Sequence, residues 1–252
     1  MAIPFGIYNL GNSGGSWLES VIRSKPGCYA WEEVRRDLNL PKMGDGMTGE
    51  EVQARIFAFF KEQCERDDLQ ACGLIKGFRI DVAEYIAAQG GRFLQHVRNP
   101  IRHLQGTYKR SKGAENGLGR KPENEEEYFL GQVLWQSSRY RKYLRRAETI
   151  PLIRLEDLSY SLRDGCGIYF MQVLSYITQV EWTHVDAFRV VDKVPPRNQA
   201  YLPRFQWFTD IPSKNDPSAN DIWESWTSSQ RGVFLKHYET IMLTLGYAIP
   251  EV

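Results

Sequence analysis

The chain lacks the features that mark membrane, metal-binding and disulfide-rich proteins. Its 252 residues include four cysteines, whose spacing fits no metal site and whose number is too small for a disulfide framework, so reduced thiols are expected. No apolar run approaches the roughly 18 residues that a membrane span requires. The first predicted strand begins almost at the N-terminus and leaves no room for a signal peptide, so we expect a cytoplasmic protein without a membrane anchor.

An excess of charge of either sign is also missing. The net charge is +1, which gives no reason to expect a nucleic acid or an acidic membrane surface as the main partner. The sequence contains no internal repeat and no low-complexity tract. With 42% hydrophobic residues the chain can build one large core, and we predict a single domain over residues 1–252.

Strand-like and helix-like segments alternate along the chain. This alternation favours a three-layer α/β fold, in which a central parallel sheet of about four or five strands is flanked by helices. The predicted strands lie near residues 4–10, 73–77, 92–97 and 150–155. The predicted helices lie near residues 17–24, 50–66, 80–89, 100–111, 123–146, 166–179 and 228–245.

Two stretches interrupt this alternation. Residues 37–49 contain one proline and three glycines, which predicts a mobile loop. Residues 182–220 contain spaced aromatic residues among proline, asparagine and aspartate, with little periodicity. Long irregular segments of this kind are often lids or binding loops, so 182–220 is predicted to be an acceptor-binding lid or, alternatively, a wrap over the surface with some aromatics in the core.

The segment Phe5 to Ile22, FGIYNLGNSGGSWLESVI, predicts a strand, a glycine-rich turn and a helix. Glycines let backbone N–H groups approach an anion closely, and a helix N-terminus adds donors and a favourable dipole. The turn is therefore a candidate phosphate cradle or, alternatively, a tight strand-to-helix connection. It is not a Walker A loop, because the Gly-Lys-Ser/Thr ending is missing.

A second informative segment is Arg92 to Tyr108, RFLQHVRNPIRHLQGTY. An apolar strand ends at Arg98, Asn99 suits a helix N-cap, and Pro100 suits the first helical turn. Arg98 is thereby predicted to lie at the carboxyl edge of the sheet, where ligands of open α/β sheets bind. The alternative is a structural arginine that pairs with a helix carboxylate.

Together these segments resemble the sulfotransferases that use 3′-phosphoadenosine-5′-phosphosulfate (PAPS). GNSGGSW at Gly11–Trp17 is similar to the loop that binds the 5′-phosphosulfate in this family. RNPIRHLQGTY at Arg98–Tyr108 is similar to the segment that binds the 3′-phosphate. IPLIRLEDL at Ile150–Leu158 resembles the family's strand ending in Glu-Asp-Leu, and Trp226–Tyr247 resembles its closing helix ending in Leu-Gly-Tyr. The four motifs occur in the family's order, so the resemblance extends over nearly the whole chain and implies a P-loop-like fold.

The resemblance implies transfer of a sulfuryl group from PAPS to a hydroxyl or amine of a small-molecule acceptor, with 3′,5′-adenosine bisphosphate (PAP) as product and no metal. Catalysis then requires in-line positioning, removal of the acceptor proton and neutralisation of the leaving oxygen. The resemblance implies that Trp17 stacks on adenine; the alternative is a tryptophan of the core. It also implies a distal basic residue that completes the 3′-phosphate site, for which the candidates are Arg197 and Arg204. The implied nucleotide-binding residues are Asn12, Ser13, Gly14, Gly15, Ser16, Trp17, Arg98, Gly106, Thr107 and Arg197.

The sequence departs from the family at the cation of the loop and in the 3′-phosphate segment. Asn12 stands where the family has Lys or Arg, and Lys76 is the predicted substitute because it resembles the lysine of the family's Lys-Thr-His motif. The alternative for Lys76 is a surface lysine at a strand end. Gly106 stands where the family has serine, so either the hydroxyl of Thr107 or the backbone of Gly106 would meet the 3′-phosphate.

The catalytic base has also changed, because Phe78 occupies the position of the family's catalytic histidine. Other branches of the family use a carboxylate on the first helix or in the loop after it. The candidates here are Glu33, Glu32 and Glu19, in that order. Each also fits a solvated helix carboxylate.

Two other functions remain open at this point. A catalytically weakened member would bind PAP or PAPS as a regulatory or assembly protein, and a P-loop nucleotide kinase-like enzyme is disfavoured by the missing Gly-Lys-Ser/Thr ending. We expect a monomer or homodimer acting on a small metabolite. Aromatics in 182–220 would suit a flat acceptor, and aspartates there, including Asp186, would suit a cationic one.

Overall fold

The computed structural model describes residues 1–11, 14–32, 34, 38, 48–76, 78–110, 117–163, 167–193 and 219–250. Most of the two predicted irregular stretches lies outside these residues, as do Asn12, Ser13, Glu33, Arg197 and Arg204. The strands of the described part are β1 (Ile3–Asn9), β2 (Cys28–Trp31), β3 (Ala71–Ile75), β4 (Arg92–Val97) and β5 (Leu152–Arg154). Its helices are α1 (Gly15–Arg23), α2 (Gly49–Cys64), α3 (Ile80–Ala88), α4 (Pro100–Arg110), α5 (Glu125–Arg146), α6 (Leu155–Arg163), α7 (Ile168–Thr178), α8 (His184–Lys193), α9 (Ala219–Ser225) and α10 (Ser228–Thr244).

The five strands form one parallel sheet in the order β2-β3-β1-β4-β5, flanked by helices. The predicted α/β fold class is thus confirmed. The four predicted strands are present, with ends that differ by at most two residues from the predicted ones. β2 was not predicted, because four residues are too few to show a hydrophobic period.

Part of the stretch predicted to be irregular is helical. α8 begins inside it, and Ala187 and Val190 face the core. The carboxylate of Asp186 accepts hydrogen bonds from the backbone N–H and the hydroxyl of Thr183, both at 2.9 Å, and pairs with Lys25 at 2.6 Å. Asp186 therefore anchors the start of α8 to the turn after α1. It is buried in this structural role, which corrects the expectation that it holds a cationic acceptor.

Three apolar clusters cover the two faces of the sheet. Helices α1, α6, α7 and α8 pack on one face, where Phe5 and Ile7 of β1 are fully buried. On the other face, α2 and α3 form one cluster, and α4, α5, α9 and α10 form another. Complete burial of one such side chain contributes about 1.5–3 kcal/mol to folding. Among the helices of the described ranges, none is both long and apolar enough to cross a lipid bilayer.

The strand order determines where a ligand can bind. β1 lies between β3 and β4, with Ile7 beside Ile75 on one side and Asn9 beside His96 on the other. The chain leaves β1 toward β2 and later crosses from β3 to β4, so the connections diverge around the carboxyl end of β1. Ligands of open α/β sheets bind in the crevice at such a switch point. The glycine-rich loop after β1 lies there.

Candidate functional site

The loop after β1 leads directly into the N-terminus of α1. Gly14 is the N-cap residue, with φ 90° and ψ 20°, a left-handed conformation that glycine adopts without steric cost. No side-chain hydrogen bond from the N-cap satisfies the first turn of α1. The amide groups of this turn and the helix dipole are therefore suited to bind an anion.

Two polar side chains pack closely against Gly15. A Cβ atom at this position would overlap the amide nitrogen of Asn9 and a carboxylate oxygen of Glu32. The side chain of Asn9 also accepts a hydrogen bond from the backbone N–H of Gly11 at 2.7 Å. Asn9, the last residue of β1, therefore contacts both the start and the end of the loop.

The carboxylate of Glu32 lies at the first turn of α1. Glu32 directly follows β2, and its side chain accepts a hydrogen bond from the hydroxyl of Ser16. Glu19 lies farther along α1, is 9% exposed and forms an ion pair with Arg23 at 2.7 Å. Of the three predicted base candidates, the structure thus brings Glu32 to the loop and engages Glu19 in an ion pair, whereas Glu33 lies outside the described residues.

Lys76 follows β3 at the same edge of the sheet. Its backbone N–H donates to the carbonyl of Ile7 at 2.8 Å, which fixes it beside β1, and its side chain is exposed. Its φ of 130° is unusual for a non-glycine residue. Such conformations cost about 1–3 kcal/mol and are concentrated at functional sites. The exposed side chain at a strand end also fits the alternative of a surface lysine, so the functional role of Lys76 stays a prediction.

Phe78 fills the position at which the resemblance expects a catalytic histidine. Its ring stacks on Tyr8 with a centroid separation of 4.4 Å and lies 6.1 Å from the ring of Phe93. Phe78 thus covers the sheet as part of an aromatic cluster. An apolar ring cannot accept a proton, so Phe78 cannot act as a base.

Three of the sequence motifs meet at Glu156. One oxygen of its carboxylate accepts a hydrogen bond from the backbone N–H of Asn99 at 3.0 Å, and the other accepts one from the hydroxyl of Tyr247 at 2.7 Å. Arg98 lies just before Asn99, is 9% exposed, and its carbonyl accepts a hydrogen bond from Tyr140 at 2.7 Å. The segment predicted to bind a 3′-phosphate is therefore held from two sides.

The remaining predicted nucleotide-binding residues differ in how accessible they are to a nucleotide. The hydroxyl of Thr107 donates to the carbonyl of His103 at 2.6 Å within α4. Among the described residues, no atom outside the backbone of α4 itself lies within 4 Å of the position that a Cβ atom would occupy on Gly106. Trp17 is 1% exposed within the core, which favours the core alternative for this tryptophan. The nucleotide roles of these three residues stay predictions.

Two buried histidines beside the loop were missed in the sequence analysis. The Nε2 atom of His103 lies 2.8 Å from the carbonyl oxygen of Gly11. Because a carbonyl only accepts, His103 donates this hydrogen bond and ties α4 to the loop. His96 is fully buried below the loop, with its Cε1 atom 3.6 Å from the position of a Cβ atom on Gly14. The available signal was a polar ring within strand β4, two residues before Arg98.

Burial keeps both imidazoles neutral. It lowers the pKa of His96 to about 3, with a further contribution from the charge of Arg98, and that of His103 to about 3, with a further contribution from Arg139. In the unfolded chain a histidine has a pKa of about 6.5. Below that pH the unfolded chain binds more protons than the folded chain, so acid destabilises the fold.

We expect the free energy of unfolding to fall by about 1.6 kcal/mol in total between pH 6.5 and pH 5 for each of these two histidines, with a slope that approaches about 1.4 kcal/mol per pH unit at the lower pH. Urea unfolding at several pH values measures this slope. A His96→Leu variant should show about half of it, because one of the two depressed pKa values is removed. An unfolding free energy that is constant from pH 6.5 to pH 5 would contradict the prediction.

Among the described residues, no group of three or more histidine, cysteine, aspartate or glutamate side chains is placed to hold a metal ion.

No family model matches the chain, and no curated protein matches it. Among solved structures, the chain is similar to mouse sulfotransferase SULT7A1 in complex with PAP, with a TM-score of 0.58 and 11% sequence identity over 95% of this chain and 83% of that one. At this identity the similarity shows the fold, which is sulfotransferase-like.

Proposed function

We propose that this protein is a sulfotransferase that moves a sulfuryl group from PAPS to a hydroxyl or amine of a small-molecule acceptor. The observation that carries the proposal is the convergence of separate motifs at one edge of the sheet. The glycine-rich loop lies at the carboxyl end of β1, Lys76 follows the neighbouring strand on one side, and Arg98 follows the neighbouring strand on the other.

The donor fits this edge by charge and by spacing along the chain. The 5′-phosphosulfate would bind to the amide groups at the start of α1. The 3′-phosphate would bind to Arg98, whose guanidinium suits a phosphate and whose backbone is fixed by Tyr140. Two phosphates on one nucleoside would thus bridge two strand ends, which a nucleotide with a 5′-phosphate alone cannot do.

The transfer requires an electrophile and a base. The bond between sulfur and the bridging oxygen of the donor breaks, a bond between sulfur and the acceptor heteroatom forms, and the acceptor proton passes to a base. Lys76 would stabilise the negative charge that develops on the bridging oxygen. Glu32 is the base that we propose, because it is the candidate carboxylate that the structure places at the loop.

PAP is expected to raise the melting temperature much more than 5′-AMP does, because 5′-AMP lacks the 3′-phosphate that Arg98 is proposed to bind. At a ligand concentration 100 times the Kd, the stabilisation is about 2.7 kcal/mol. For a chain of this size that corresponds to a shift of about 5–10 °C. Thermal unfolding with equal concentrations of PAP, 5′-AMP and ATP measures the difference.

Equal shifts from PAP and 5′-AMP would refute the assignment of Arg98 to a 3′-phosphate. A shift from ATP alone would favour a nucleotide kinase-like protein instead. Mass spectrometry of PAPS incubated with a metabolite library, searched for the mass gain of one sulfuryl group, then identifies the acceptor.

A second candidate function is a nucleotide-binding protein with weakened catalysis. The packing of Phe78 against Tyr8 and Phe93 favours it, because the family's base position is filled by an apolar ring. This protein would bind PAP as tightly as an active enzyme. A chain that binds PAP but sulfates no hydroxyl or amine in the library would support this candidate over the first.

A further inference from the structure

We propose that His96 is an additional donor-binding residue, whose ring N–H donates a hydrogen bond to the phosphosulfate held by the glycine-rich loop. The inference rests on the proposed function and deepens it. His96 would supply part of the electrostatic stabilisation that a cationic residue at position 12 gives in the family and that Asn12 cannot give.

The position of His96 supports this role. It lies on β4 opposite Asn9 of β1, the residue that contacts both ends of the loop. Its Cε1 atom lies 3.6 Å from the position of a Cβ atom on Gly14, the N-cap of α1, where two methyl groups of Leu155 lie nearer, at 3.0 and 3.1 Å. The positive charge of Arg98 is close enough to lower the pKa of the His96 ring. His96 thus lies beside the loop and within reach of the charge of Arg98.

The hydrogen bonding of His96 is incomplete. Neither ring nitrogen has a hydrogen-bond partner among the described residues, although the side chain is fully buried. An unsatisfied buried polar group costs about 1–3 kcal/mol. A leucine would fill a similar volume without this cost, so a purely structural role would not require an imidazole. Buried polar groups without partners are rare and often have a functional explanation.

His103 shows what a structural histidine looks like in the same region. It is equally buried, on the element that follows β4, and its Nε2–H already donates to the carbonyl of Gly11. An anion in the loop would offer no new partner to that nitrogen. The Nδ1 atom of His103 also lacks a partner among the described residues, but in a neutral ring that donates through Nε2 it carries no proton and cannot donate to an anion. The two histidines therefore differ in whether the ring N–H already has an acceptor within the described protein.

The first test compares His96→Leu with the wild-type protein. We expect the free variant to be at least as stable as the wild type to urea, because an unsatisfied polar group is removed. We also expect its affinity for PAP to fall about 10-fold or more, the loss that follows removal of one hydrogen bond to a charged group. His96→Gln retains an N–H donor and should recover part of the affinity. Calorimetric titration measures both affinities, and His184→Leu, at an exposed position on α8, serves as the unchanged control.

A second measurement uses the unmodified protein. The chain contains four histidines, so imidazole ¹⁵N spectra contain signals from four rings, which the single variants assign. PAP is expected to shift the ring nitrogens of His96 by an amount typical of a new hydrogen bond. The signals of His184 and His237 should not move, and that of His103 should move little.

The outcomes separate the inference from the proposed function. If the wild-type protein does not bind PAP, both are wrong. If it binds PAP but His96→Leu binds equally well, or the His96 signals stay unchanged on binding, only the inference is wrong. A His96→Leu variant that is clearly less stable than the wild type, with its PAP affinity retained, would assign the ring a structural role.

Discussion

Replacement of Glu32 by glutamine is expected to lower turnover by about 10²- to 10⁴-fold, the usual contribution of a general base. Glu32 follows the strand at one edge of the sheet, yet its carboxylate reaches the first turn of α1, where Ser16 donates a hydrogen bond to it and a side chain on Gly15 would overlap it. A carboxylate in this place can take the acceptor proton close to where sulfur is transferred. Glutamine keeps the shape of the side chain but cannot accept the proton.

The same substitution is expected to strengthen binding of PAP by a few-fold. The carboxylate of Glu32 shares the first turn of α1 with the predicted 5′-phosphate site, and two anions in one site repel each other. Turnover and nucleotide affinity should therefore change in opposite directions, which loss of fold does not produce. Steady-state kinetics and calorimetry measure the two effects.

Glu33→Gln is the matched control, since it changes the adjacent carboxylate by the same atoms. We expect it to retain most of the turnover. If Glu33→Gln instead abolished turnover and Glu32→Gln did not, Glu33 would be the base and the assignment from the loop geometry would be wrong.

Lys76→Ala is expected to lower turnover by about 10²-fold or more, the scale of losing one oriented group that stabilises transition-state charge. The affinity for PAPS should change far less, because the bridging oxygen carries little negative charge until its bond to sulfur breaks. Lys76 is anchored to β1 through its backbone at the carboxyl edge of the sheet, and its side chain is exposed. Single-turnover measurements with PAPS separate the chemical step from binding.

Two further variants define the charge requirement at this position. Lys76→Arg keeps a cation and should retain more turnover than Lys76→Ala. Asn12→Lys restores the cation of the family's loop and is expected to recover part of the turnover lost in Lys76→Ala. Near wild-type turnover in Lys76→Ala would exclude Lys76 from the mechanism.

The sequence by itself determined the local elements that form the site. The strand, glycine turn and helix at the start of the chain were predictable because their hydrophobic periods and their glycines are contiguous in the sequence. The strand that ends just before Arg98 and the helix that starts at Pro100 were predictable for the same reason. β2, α6, α8 and α9 were not predicted. β2 is too short to show a period, α6 follows β5 without an intervening loop, and α8 and α9 begin inside the stretch that was predicted to be irregular.

Only the tertiary structure decided which side chains meet. Glu32 reaches Ser16, His103 reaches Gly11, and Glu156 connects Asn99 with Tyr247. Each of these contacts joins different elements, and spacing along the chain carries no information about distances between side chains on separate elements. The sequence therefore listed three candidate carboxylates without ordering them by distance to the loop. It also gave no sign that His96 is left unsatisfied, because burial and hydrogen bonding arise from the packing of β1, β4 and the loop against one another.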